Sequence, residues 1–249
     1  MSRTGRRLRH PFSGLLAAAL LLSGVAAQAE EPIAILYSER PPFNVTQPDG
    51  DVLGIVGAPV GVALRKAGIG FAWEEVPSNR SVFEVQENRR RVCGLGWYQT
   101  PERAEFARFS DPISQDGPLV AMVGRSFHSP EATSFEAVLR DESARFLLKS
   151  GVIYTTATSA LLDKAKIRAR WVTIGWPEIV QEIADQQADI TFLIEEEAEY
   201  YLRTGSFKPG DLKILRFPEL PRGELRRLMC SKMVEDDVIR AVNAALRQR

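Results

Sequence analysis

The chain has 249 residues, with 32 Lys and Arg against 32 Asp and Glu, and 45% of it is hydrophobic. This charge balance supplies no basic surplus for a nucleic-acid backbone or an anionic membrane surface, so those partners are not expected. Only 2 histidines are present, which removes the ordinary form of a Ser-His-Asp triad and of a histidine-rich metal site; no catalytic residue, metal or cofactor is expected.

The first segment reads as an export signal. Arg3, Arg6, Arg7 and Arg9 precede an apolar run at residues 15–22, and Ala27-Gln28-Ala29 supplies small residues for cleavage. The run is too short for a confident membrane span. A signal peptide over residues 1–29, cleaved after Ala29, predicts a periplasmic protein. The chain beyond Ala29 keeps 28 of the 32 basic residues against all 32 acidic ones, a net charge of about −4 at ordinary pKa values. Cys93 and Cys230 are both in this part. An oxidising compartment favours a bond between them, which would bring the C-terminal segment against the first lobe; two separate buried thiols are the alternative.

Along the exported chain, short apolar runs alternate with helical stripes. Strands are predicted at residues 32–37, 71–76, 92–97 and 118–123, with helices at 57–67 and 81–87 and a helix start at Thr100-Pro101. After Gly124 the composition turns polar, and a crossing is expected near residues 120–126. Further strands are predicted at 151–154, 170–173, 189–194, 213–217 and 225–231. Helices are predicted near 134–140, 159–164, 177–187, 195–202 and 236–246. The alternation predicts an α/β protein of two Rossmann-like lobes joined by two hinge crossings. Residues 30–122 and 217–249 make the first lobe and 123–216 the second.

The stretch CGLGWYQTPERAEFARFSDP, from Cys93 to Pro112, carries the sharpest site signal. An apolar strand ends where Thr100 and Pro101 open a helix, which leaves Arg103 at a strand-to-helix junction. Open α/β sheets place ligands at such junctions, and a guanidinium there offers a planar fork for a carboxylate or phosphate. The alternative is a solvated arginine in a helix's first turn. Tyr37, Trp97, Tyr98 and Tyr154 fall at or just past strand ends, where flat rings pack a small solute or simply pack the core. Arg40 and Arg80 accompany them. The run Glu195-Glu196-Glu197 reads as a solvated, dipole-satisfying first turn, with Glu195 the one member placed to face a cleft. His128 and Arg89-Arg90-Arg91 read as surface.

Several segments together resemble the bacterial solute-binding protein family 3, the periplasmic receptors of polar amino-acid ABC transporters. They are ERPPFN, PDGDVLGIVGAPVGVALRKAGI, YQTPERAEFARFSDPI, QDGPLVAMV, GVIYTTATS and QQADITFLIEEEAEYY. The resemblance implies the type II periplasmic binding protein fold, two lobes that close on a small ligand, and a monomer that delivers it to an ABC importer's membrane permease. It implies that Arg103, in the TPER motif, clamps the ligand's carboxylate, with Thr100 beside it and Thr156 assisting from the second lobe. Arg40 stands where many members place an aromatic ring. The carboxylate that grips an amino acid's ammonium falls on Ile194 here, with Glu195 one place later, and Gly96 and Tyr98 stand where small hydroxyls commonly bind. An anionic or aromatic acid is therefore expected in preference to a zwitterion. The alternatives on this scaffold are a dehydratase-like enzyme acting on aromatic acids and a sensory ligand-binding module.

Overall fold

The structure is a computed structural model that describes residues 31–128, 134–150, 156–165 and 167–248. The expected signal peptide, the strand expected at 151–154 and Tyr154 lie outside the described residues.

Strand β1 (Ile33–Tyr37) is buried along its whole length, as an apolar run flanked on both sides by parallel neighbours must be. A ribbon of β2 (Val45–Thr46) and β3 (Val52–Leu53) leads into α1 (Gly54–Lys66), which buries Val56, Val60, Ala63 and Leu64 at helical spacing. Then come β4 (Phe71–Glu75), α2 (Ser78–Glu87), β5 (Val92–Tyr98), α3 (Pro101–Phe106), β6 (Ala107–Phe109) and β7 (Ser114–Gln115).

The second lobe runs through β8 (Leu119–Gly124), α4 (Phe135–Leu139), β9 (Phe146–Lys149), α5 (Thr156–Ala165) and β10 (Ala169–Val172). It continues with α6 (Trp176–Ala184), β11 (Ile190–Ile194), α7 (Glu195–Thr204) and β12 (Leu212–Leu215). The chain then returns through β13 (Leu225–Ser231) and closes with α8 (Asp236–Arg247), whose Ile239, Val242, Ala245 and Leu246 face inward.

Each lobe has its own sheet. The first has the order β4-β1-β5-β13-β6, with β7 also on β13; the second has the order β10-β9-β11-β8-β12. In the first sheet β4, β1 and β5 are parallel and β13 runs against β5 and β6. The long return that makes β13 antiparallel sets Cys230 opposite Cys93, and the two are bonded. The C-terminal segment is thus fastened to the first lobe across 137 residues of sequence.

Two expectations need correction. The run at 118–123 belongs to the second sheet, where β8 pairs antiparallel with β11 and β12, so the chain leaves the first sheet after β7. A fully apolar strand carries no mark of which sheet will cover it. The second lobe also has a strand at Phe146–Lys149 that the sequence pattern does not announce. Its three-residue apolar stretch between Arg145 and Lys149 is too short for periodicity to identify.

Candidate functional site

Strand β5 and the turn into α3 shape the site. Gly96 has φ +74°, a left-handed conformation that only glycine adopts without strain, and the register of β13 on β5 shifts at the same level, between Arg227 and Met229. The last residues of β5, Trp97 and Tyr98, are thereby brought out beside the turn. At Gly94 an added Cβ would stand 2.6 Å from Trp97 Nε1 and 2.7 Å from Ser81 Oγ, so a glycine is needed for the indole and α2 to close on the strand. Thr100 then caps α3: its Oγ1 accepts from the Arg103 N–H at 3.3 Å, with Pro101 at the first helical position.

This local chemistry holds Arg103 back over the strand end. Its Nη1 donates to the Tyr98 carbonyl at 2.9 Å and its Cζ lies 4.7 Å from the centre of the Trp97 ring. Among the described residues no carboxylate is within ion-pair distance of it. Burial, opposed by Glu102 and Tyr98, holds its guanidinium below the ordinary arginine range.

Arg103 lines a cavity of about 190 Å³. Leu36, Tyr37 and Leu95 give it an apolar side; Ser38, Asn44, Ser78 and Ser81 give hydroxyls and an amide; Trp97 and Tyr98 give rings. Arg40 and Arg226 are the other two cations on its wall. All of these residues come from the first lobe. A larger depression of about 750 Å³ in the second lobe is lined by exposed charges such as Arg140, Glu142 and Lys164. Among the described residues it offers neither a ring cluster nor an unpartnered buried polar atom.

Two ion pairs build the cationic wall. Arg226 on β13 donates to Asp116 from Nε at 2.5 Å and from Nη2 at 2.7 Å, and both side chains are almost fully buried. Its Nη1 donates to the Gly96 carbonyl at 3.2 Å, and its guanidinium covers the Phe43 ring at 4.0 Å. The Tyr98 hydroxyl donates to Asp116 and accepts from Arg226; burial pushes this phenol well above the ordinary tyrosine range, with Arg226 opposing. The second pair spans the lobes. Arg40 donates from Nε at 2.8 Å and from Nη2 at 3.1 Å to the two oxygens of Glu197, which is fully buried. Burial works against the Arg40 charge, but the Glu197 carboxylate outweighs it and holds the group above its ordinary range.

Of the residues expected at the site, Arg103, Tyr37, Arg40, Trp97 and Tyr98 meet around this cavity. Tyr37 also bonds Thr46 through its hydroxyl, at 3.0 Å. Thr100 acts through the helix cap. Arg80 turns outward, pairs with Glu84 at 2.8 Å one helical turn on, and is not on the wall. Glu195 is held by Arg216 at 2.5 Å, and Glu196 accepts from the Gly117 N–H at 2.8 Å. The acidic run is therefore not a uniformly solvated turn: each member has its own partner, and Glu197, not Glu195, faces the first lobe. Thr156 opens α5, and its side chain lies outside what is described.

Sequence reasoning missed Arg226, Asp116, Glu197, Asn44 and Ser81. The one signal it offered was an arginine inside the apolar strand LRRLMCS, a charge that must find a buried partner or leave the sheet. His128 is exposed, as expected. Among the described residues there is no cluster of three metal-ligating side chains, and no helix is long and apolar enough to cross a membrane.

No protein-family model matches the chain, and no curated protein matches it. Solved structures do. The arginine-, lysine-, histidine-binding protein ArtJ from the thermophilic bacterium Geobacillus stearothermophilus superposes with a TM-score of 0.66 at 16% identity, covering 88% of this chain and 89% of that one. An ancestral arginine-binding protein bound to arginine gives 0.64 at 18%, covering 87% and 91%. An ancestral amino acid-binding protein, a precursor of cyclohexadienyl dehydratase, gives 0.62 at 21%, covering 87% and 88%.

Proposed function

We propose that this chain, which has the fold of type II periplasmic binding proteins, is an exported receptor that captures a small carboxylate-bearing solute and hands it to the permease of an ABC-type importer. The observation that carries the reading is Arg103: a half-buried guanidinium on a cavity wall, positioned by a helix cap and an indole face, with no carboxylate of its own among the described residues. A bidentate carboxylate would satisfy the fork that the protein leaves open. The Cys93–Cys230 bond suits an oxidising compartment, and the solved neighbours are, by their descriptions, amino-acid-binding proteins.

Closure follows from differential contact. The first lobe supplies the cavity, and the second reaches its edge through Glu197, which fixes Arg40. A solute held on Arg103 shifts an open–closed equilibrium to the extent that it also touches the second lobe when that lobe closes on it. Charge-assisted hydrogen bonds of roughly 1.5–3 kcal/mol, together with ring contacts, support micromolar binding, which needs about −8 kcal/mol. A thermal-shift screen of carboxylic acids, followed by calorimetry on those that stabilise, tests the reading. Saturable binding at one site per chain is expected; no stabilisation by any small carboxylate would overturn it.

A further inference from the structure

Three arginines stand on the cavity wall, and their donors are not equally spent. Arg226 is used up on the protein: two nitrogens go to Asp116, one of them also to the Tyr98 hydroxyl, and the third goes to the Gly96 carbonyl. Arg103 spends Nη1 on the Tyr98 carbonyl, and among the described residues its Nε and Nη2 have no hydrogen bond. Arg40 gives Nε and Nη2 to Glu197, and among the described residues its Nη1 has none. None of these three open nitrogens is sealed from solvent, and the Arg40 side chain is 31% exposed.

Arg103 and Arg40 border one small space. Both line the same cavity of about 190 Å³, below the roughly 300 Å³ where drug-sized ligand sites begin. Tyr98 links them: its carbonyl takes Arg103, and its hydroxyl joins the Asp116–Arg226 pair, whose carboxylate acts on the Arg40 charge. A guanidinium has five N–H donors and no acceptor, so the group that answers Arg40 Nη1 is an acceptor, and Glu197 does not preclude a second one. The same chain does this twice on its surface, where Arg90 holds Glu74 and Glu84 together and Arg216 holds Glu195 and Glu199. The second lobe favours a charged acceptor. Lys149, at the end of β9, is held below the ordinary lysine range by burial and by the like charge of Arg40, with Glu178 and Glu197 opposing; an anion on Arg40 would relieve that repulsion.

We infer that the solute carries two carboxylates on a short carbon chain, one gripped by Arg103 and the second by the open Nη1 of Arg40. This rests on the receptor reading and narrows its substrate class to small dicarboxylates. Arg40 then bridges a carboxylate of the solute and Glu197, which belongs to the second lobe, so the second carboxylate binds at the seam between the lobes.

Calorimetry with chain-matched acids tests it: malonate, succinate, glutarate and adipate, each against the monocarboxylate of the same carbon number. At least one dicarboxylate is expected to bind at least about tenfold more tightly than its monocarboxylate, the worth of one further charge-assisted hydrogen bond. In Arg40→Met that preference is expected to fall to within about threefold. Because this variant strands Glu197, the double variant Arg40→Met/Glu197→Leu is measured beside it, and the far-UV spectra of both are compared with the parent's. If no dicarboxylate exceeded its monocarboxylate by about tenfold, or if a larger than threefold preference survived in a folded variant, this inference would be overturned and the receptor reading would stand. If none of the eight bound while another carboxylate did, the dicarboxylate assignment alone would fall; if no carboxylate bound, both would.

Discussion

Asp116 and Arg226 lie 110 positions apart yet form the most buried ion pair described in the molecule, with side-chain exposures of 0% and 5%. Removing either partner strands a charge, at a cost of roughly 3–5 kcal/mol. The surroundings decide where in that range each variant falls. Without Asp116, Arg226 keeps the Gly96 carbonyl at 3.2 Å, the Tyr98 hydroxyl at 3.1 Å and the Phe43 ring face at 4.0 Å, so Asp116→Ala is expected near the lower end, about 3 kcal/mol. Without Arg226, the carboxylate keeps only the Tyr98 hydroxyl as a side-chain donor among the described residues, and Arg226→Met is expected near the upper end, about 5 kcal/mol. The double variant Asp116→Leu/Arg226→Met replaces the pair by apolar volume and is expected to lie within about 2 kcal/mol of the parent. Urea unfolding with the cysteines kept oxidised measures all three. Single variants costing less than about 1 kcal/mol, or a double variant as damaged as Arg226→Met, would refute the claim that the pair is isolated from water.

Three other outcomes rest on the geometry. Gly94→Ala is expected to displace the Trp97 ring, because the new methyl would stand under 3 Å from Trp97 Nε1 and Ser81 Oγ; a shift in tryptophan emission with weakened ligand binding checks it. Asp189 is held below the ordinary aspartate range, chiefly by its bonds from Arg145. Its contribution is present above the unfolded-state pKa and is lost as pH falls through the lower folded-state value, so Asp189→Asn is expected to flatten the stability loss below about pH 4 in acid titrations followed by circular dichroism. Reducing the Cys93–Cys230 bond releases a 137-residue loop and is expected to lower the melting temperature, by an amount corresponding to no more than about 5 kcal/mol; an unchanged melting temperature after verified reduction would contradict it.

Local chemistry is legible in the sequence, and long-range pairing is not. Thr100-Pro101 announces the cap that positions Arg103 because its signal lies within four residues. The two cysteines and the compartment expected from the leader imply their bond, and the bond places β13 beside β5. The sequence points Arg40 toward ligand alone, whereas its partner Glu197, 157 positions away, reads as part of a solvated turn. Nothing in a triple-glutamate run says which member a fold will bury. The first crossing is misplaced to the wrong side of β8 for the same reason: an apolar strand states that it is covered, not by what.

The most direct measurement is the affinity of Arg103→Met for the carboxylate that the parent protein binds most tightly, read by calorimetry beside the melting temperature of the unliganded variant. The Arg103 side chain's bonds within the described protein are few, a single carbonyl at 2.9 Å and the Trp97 face, so the fold is expected to lose no more than about 1 kcal/mol. Binding is expected to fall about a hundredfold, the equivalent of roughly 3 kcal/mol of charge-assisted hydrogen bonding. An affinity within about threefold of the parent's, in a folded variant, would contradict the account.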